Sequence, residues 1–357
     1  MPPCCVLSRH GLHAPPESPS PLTSIASDPR ALKQALASYQ RPSYGRSLVE
    51  IVITAGPLAL LWGLAWFAAD RGVWWLALLL TVPAALFMVR LFMIQHDCGH
   101  GAFFRIKSLN DWVGRVLGVL TLTPYDYWRR THAIHHATSG NLDRRWLGAV
   151  ETLTVDEYRA LPWIKRLGYR LYRNPLVMFG VGPGYMFILQ HRLPVGLMKE
   201  KGAWFSVLGT NLGLAALVFA AIYFGGALPF LMVHLPILLL ASSIGVWLFY
   251  VQHQFDEAFW ARNEDWTLHE ASLKGSSHLQ LPPVLSWFAA NIGIHHVHHV
   301  GSKIPYYRLR QVLKDHPELD EMSRVGFWES FKAVRLALWD EARGRLVSFQ
   351  DARKRGR

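Results

Sequence analysis

The chain has 357 residues, 51% of them hydrophobic, and a mean hydropathy of +0.14, a composition that excludes an ordinary soluble globular protein and points to a membrane. The formal net charge is +12. The basic residues are spread over segments that flank apolar runs and no nucleic-acid module is present, so the charge fits an anionic lipid surface and excludes nucleic acid as a partner.

In chain order, residues 1–43 are expected to be a disordered to amphipathic cytoplasmic segment. Residues 1–20 are rich in proline and serine and lack the apolar core of a signal peptide. The first apolar run covers about 49–69, with Thr54 within it, and the second about 73–95, with Thr81 and Arg90 as polar interruptions. The third and fourth cover about 203–224 and 228–251. Each meets the roughly 20 residues that a helix needs to cross about 30 Å of hydrocarbon. The turns Asp70-Arg71-Gly72 and Gly225-Gly226-Ala227 are too short to hold a domain. The expected fold is therefore an all-α integral membrane protein with four transmembrane helices in two hairpins. Residues 44–313 are the membrane domain and 314–357 a basic cytoplasmic tail. Arginine and lysine crowd the N-terminal segment, the long middle segment and the tail, so the positive-inside rule places both termini and the middle segment in the cytoplasm.

Nine histidines fall in three clusters at these boundaries: His96-Asp97-Cys98-Gly99-His100, His132-Ala133-Ile134-His135-His136, and His295-His296-Val297-His298-His299. The first begins where the second span ends. The second follows the apolar stretch 112–127, which is short, contains Pro124 and is read as interfacial or re-entrant. The third follows another short apolar stretch, 282–292. Histidines at i,i+3 and i,i+4 share a helix face, with Cβ atoms roughly 5–6 Å apart, close enough for two rings to grip one ion. Imidazole suits iron, copper and zinc. Three such clusters offer more nitrogens than the four or so one zinc takes, which points to a two-metal site in a cytoplasmic helical cap. Three cysteines, an odd number, argue against a disulfide framework, and Cys98 between His96 and His100 is read as a packing residue.

The clusters and their surroundings resemble the integral-membrane fatty acid desaturases, most strongly the bacterial and plant acyl-lipid type that includes omega-6 desaturases. The flanking strings Ala137-Thr138-Ser139-Gly140-Asn141-Leu142-Asp143, Tyr250-Val251-Gln252-His253-Gln254-Phe255 and Leu273-Lys274-Gly275-Ser276-Ser277 carry the likeness further, over about residues 44–313. The resemblance implies a non-haem centre of two iron ions held by His96, His100, His132, His135, His136, His295, His298 and His299. A ninth ligand lies between the last span and the third cluster; His253 matches it, with His278 as the competitor. Asp97, Asp143, Asp156, Asn291 and His296 are read as groups that orient the ligands. The implied reaction introduces a cis double bond into membrane-lipid acyl chains, using O2 and electrons from a separate donor such as ferredoxin. The alternative is a fatty acyl hydroxylase or carotenoid ketolase or hydroxylase with the same ligands. The implied location is a bacterial inner membrane, with the histidines on the cytoplasmic side.

Overall fold

The computed structural model describes residues 24–145 and 147–354. The proline- and serine-rich leader with Cys4 and Cys5, and the last three residues, lie outside the described range. What is described of the N-terminal segment is helical. Helix α1 (Pro29–Leu36) starts at Asp28, whose side chain accepts from Arg30 N at 2.8 Å, and it buries Leu32 and Leu36.

Four long helices follow the four apolar runs: α2 (Tyr44–Asp70), α3 (Trp74–His100), and later α7 (Lys201–Gly225) and α8 (Ala227–His253). All four are long and apolar enough to cross a membrane. They run a few residues past the expected spans because backbone hydrogen bonding continues into polar sequence. For α3 and α8 that extension is what carries His96, His100 and His253. Helix α3 is the central one. It packs against α2 and α8, and 56% of its apolar window is buried, against 11% for α7. The outer helices thus turn apolar sides such as Phe205, Leu212 and Phe219 outward, more apolar surface than a soluble monomer leaves exposed.

Between α3 and α7 lie α4 (Lys107–Leu120), α5 (Tyr125–Thr138) and α6 (Trp163–Tyr172). The stretch 112–127 is not one element. Helix α4 breaks at Thr121, and Leu122 adopts a left-handed φ of 55°. Gln95 of α3 clamps the break: its amide donates to Thr123 O at 3.3 Å and accepts from Thr121 Oγ1 at 2.6 Å. This turn sends α5 back across the end of α3. After α8 come α9 (Leu268–Lys274), α10 (Pro283–Phe288) and α11 (His295–Val300). Ala290 and Asn291, between α10 and α11, both have positive φ, 52° and 57°, a conformation that side chains resist. It turns the chain sharply just before the third histidine cluster.

The fold is mostly helical, as expected. It departs from all-α in five short strands among the described residues. Strand β1 (Leu153–Thr154) pairs parallel with β4 (Leu338–Asp340), which pairs antiparallel with β5 (Arg345–Val347). Strand β2 (His278–Gln280) pairs parallel with β3 (Arg324–Gly326). They are two or three residues long, too short for alternating hydropathy to announce them.

Gly118 sits where α4 meets its own turn. A Cβ there would come within 2.5 Å of Thr123 O, a backbone atom that cannot swing away. Gly118→Ala is expected to cost about 1–3 kcal/mol. Gly209→Ala, where no atom lies within 4 Å of a new Cβ, should be neutral or slightly stabilising in its helix. Thermal unfolding of the detergent-purified variants checks the contrast.

Candidate metal centre

Each histidine reaches the site on an element whose end is well fixed. Helix α3 stops at Gly101, in the left-handed conformation at φ 66°, with its N–H bonded back to the last turn. That turn presents His96 and His100, four residues apart. Helix α5 brings His132, His135 and His136, α8 ends on His253, and α11 brings His295, His298 and His299.

The nine divide into two groups. His96, His100, His132, His136 and His298 form one; His135, His253, His295 and His299 form the other. Within each, one nitrogen or the other from every ring lies within 4.8 Å of all its companions. In the first group, the Nε2 of His132 is 3.0 Å from that of His100 and 3.1 Å from that of His136, which is 3.2 Å from that of His298. In the second, the Nε2 of His253 is 3.0 Å from those of His135 and His295, and the latter is 3.1 Å from that of His299. The groups adjoin: the His136 and His299 rings stack 4.1 Å apart.

Hydrogen bonding does not account for this pattern. A ring nitrogen carries one proton or one lone pair, yet Nε2 of His132, His136, His253 and His295 each faces two others. A metal ion does account for it. With metal–nitrogen bonds of about 2.0–2.1 Å, neighbouring ligands sit roughly 3.0–3.4 Å apart. The residues therefore fit metal ions, one per group. Burial, reinforced by the neighbouring imidazoles, holds His132, His135, His136, His295, His298 and His299 well below the ordinary histidine pKa. They stand neutral at pH 7, the form that binds metal.

The surrounding groups set ring orientation. Nδ1 of His253 donates to Gly275 O at 3.1 Å, which leaves Nε2 a bare lone pair turned inward. Nδ1 of His96 meets Asp97 Oδ1 at 3.2 Å, and the other oxygen of Asp97 accepts from Tyr306 N at 2.7 Å. Trp128 stacks on His132 at 4.6 Å, and Phe249 covers His135 at 5.0 Å.

The other candidates lie elsewhere. His278 joins neither group; its Nδ1 faces Asp320 O at 3.1 Å in β2. His253, not His278, stands among the second group's donors. His296 turns off the opposite side of α11 and bonds Leu319 O at 2.8 Å. Asn291 Oδ1 accepts from Ser286 Oγ at 3.3 Å. Asp143 accepts from Arg262 Nη1 and Asn263 N, both at 2.9 Å, and Asp156 lies 4.0 Å from Arg159. Neither aspartate is bonded to a ligand histidine, because the loop and helix that carry them turn their carboxylates toward arginines. Cys98 is buried and joins neither group.

Glu50 and Tyr306 escaped the sequence reading, and Arg90 was seen there only as a polar interruption. Glu50 lies inside the first span and pairs with Arg90 of α3, both almost fully buried. Arg90 also donates to Trp287 O and lies 3.9 Å over the Trp287 ring. Tyr306 donates its hydroxyl to Glu50 Oε2 at 3.1 Å while its backbone N holds Asp97. A carboxylate and a guanidinium in two apolar runs are the signal that could have found the pair, because charge at that depth is costly unless partnered.

Bilayer-length helices that end in imidazole-only groups define a class, that of histidine-rich membrane proteins able to hold metal. A family model described as fatty acid desaturase matches residues 73–331. The chain is 41% identical over 327 residues, 92% of each chain, to a fatty acid desaturase of Bacillus subtilis. It is 30% identical over 316 residues, 81% of each chain, to an sn-1 acyl-lipid omega-3 desaturase (ferredoxin) of Synechocystis. An sn-1 oleoyl-lipid 12-desaturase of Synechocystis is 27% identical over 240 residues, 61% of this chain and 62% of its own. This chain belongs to the fatty acid desaturase family and is an oxidoreductase of that membrane-bound family.

Glu50→Ala strands Arg90 as a buried charge without its carboxylate. The expected cost is about 3–5 kcal/mol, read as a fall in the unfolding midpoint. A second outcome concerns pH. Unfolded histidines take a proton near pH 6.5, whereas the folded ones do so only at much lower pH. Below about pH 6.5 the unfolded chain therefore binds more protons, and stability falls with pH. Chelator-treated protein should melt lower at about pH 5.5 than at about pH 7.5 by differential scanning fluorimetry.

Proposed function

We propose that this protein is an O2-dependent acyl-lipid desaturase that forms a cis double bond at a centre of two iron ions. The observation that carries the reading is the partition of nine histidines into two adjoining imidazole-only groups. One iron is assigned to His96, His100, His132, His136 and His298, the other to His135, His253, His295 and His299. When bound, the irons supply, with O2 and two external electrons, an oxidant strong enough to take hydrogen from an unactivated methylene, which no side chain can do.

The chain's own residues do the rest. Neutral rings offer lone pairs without adding negative charge. Gly275 O and Asp97 fix the tautomers of His253 and His96. Trp128, Phe249 and Trp260 exclude water; the cavity beside His135 and His253 measures only about 10 Å³, no more than one water requires. Asp97 acts through its ring partner and Tyr306 through Asp97, so both are positioning residues.

The four long helices are assigned to two hairpins that cross a bacterial inner membrane, with both termini and the histidine groups on the cytoplasmic side. The basic residues on the side of the spans opposite the turns Asp70-Arg71-Gly72 and Gly225-Gly226-Ala227 support that orientation, and the packing of α2 on α3 and α7 on α8 supports the hairpins. The electron donor is assigned to the ferredoxin class. The name of the Synechocystis relative supports this, as does the basic face, which attracts an acidic protein.

Expression in a host that lacks polyunsaturated lipids, followed by fatty acid profiling, should reveal a new double bond. A hydroxy or keto product instead would overturn the reading. Iron-grown protein should hold about two irons per chain, all in imidazole sites. Alanine at His253 should lower that number and abolish turnover, while alanine at His278 or His296 should leave the iron count unchanged by elemental analysis.

A further inference from the structure

Between α6 and the C-terminal helix (Phe349–Lys354) lies a cleft of about 500 Å³ that none of the histidines lines. Four arginines line it: Arg159, Arg166, Arg170 and Arg353. Two are fixed by neutral partners. Arg159 donates to Ala352 O at 2.5 Å, and Arg170 donates to the Tyr158 hydroxyl at 2.6 Å while lying 4.8 Å over the Phe349 ring. Arg166 and Arg353 have no carboxylate partner among the described residues. Against four guanidiniums the cleft has one loose carboxylate, Asp156 at 4.0 Å from Arg159, and this excess of positive charge calls for an anion; guanidinium suits phosphate oxygens in particular.

The cleft opens beside an apolar stripe. Trp163, Ile164, Leu167 and Leu171 are all exposed on α6, at helical spacing. The stripe continues through the exposed Leu176, Val181, Tyr185 and Leu189, on a segment whose residues 177–184 pack against α8, one of the four long helices. An apolar edge that joins a bilayer-length helix, with arginines beside it, has the make-up of an element lying in the interface.

From this we propose that the Arg159–Arg166–Arg170–Arg353 cleft binds the phosphate of an anionic membrane phospholipid, with the acyl chains of that lipid along the Ile164–Leu171 stripe. The inference rests on the membrane placement of the protein and not on its chemistry. The lipid is a bound structural ligand, distinct from any substrate chain at the histidines.

The test uses full-length protein in nonionic detergent, titrated with radiolabelled phosphatidylglycerol. Saturable binding is expected, at least about tenfold tighter than that of phosphatidylcholine and weakened by salt. Arg166→Gln with Arg353→Gln should lose about tenfold in affinity, whereas Arg310→Gln, an exposed charge elsewhere, should not. Ile164→Ser with Leu171→Ser should weaken the lipid but leave inorganic phosphate unaffected. Three results would overturn the proposal: unchanged binding in the double arginine variant, inorganic phosphate competing as well as the lipid, or binding indifferent to salt. The last applies even if the arginine variant fails to fold. Release of the protein from membranes by alkaline wash without detergent would sink the membrane placement instead, and no outcome here depends on desaturation.

Discussion

Eight imidazole nitrogens face one another across gaps of 3.0 to 3.2 Å. Much of the remaining architecture follows from that crowding. Neutral rings at this distance turn lone pairs toward lone pairs, and protonated rings would repel outright, so only a shared cation makes the arrangement favourable. The scaffold must hold every ring against its neighbours' repulsion until that cation arrives. Helix positions hold the rings for this, and the far nitrogens of His253 and His96 are bonded to Gly275 O and Asp97.

The scaffold ties the long helices to the histidine-bearing segments in two places. One runs from Arg46 and Glu50 on α2 to Arg90 on α3, then through Tyr306 to Asp97 and His96. The other runs from the end of α8: Gln252 donates to Ile292 O and accepts from Ser277 N, and Ser277 O accepts from His295 N. The first aligns one histidine group with the long helices, the second aligns the other. A buried ion pair adds little net stability by itself; its geometry is what places Tyr306, and through it Asp97.

The four long helices and the three clusters were legible because both signals are local. A run of twenty apolar residues and histidines four apart need no knowledge of the fold. The partition into two groups was nearly within reach. Successive helical residues are rotated by about 100°, so His132 and His136 share a face while His135 diverges, and His295 and His299 share a face while His296 points away. The choice between His253 and His278 was not legible, since it depends on where β2 lies. Glu50 and Arg90 are 40 residues apart and meet only through the packing of α2 on α3. Asp143 follows a histidine cluster closely in sequence, but chain proximity says nothing about where a carboxylate points, and Arg262 captures it.

The second histidine group takes one ligand from α5, one from α8 and two from α11, segments joined by more than a hundred residues of chain. An ion bound there closes that whole loop, so its binding free energy is also assembly free energy. The supply of a metal that binds there then governs how much of the chain is correctly put together. A cell short of that metal would keep less of this protein intact and leave more of it to proteases.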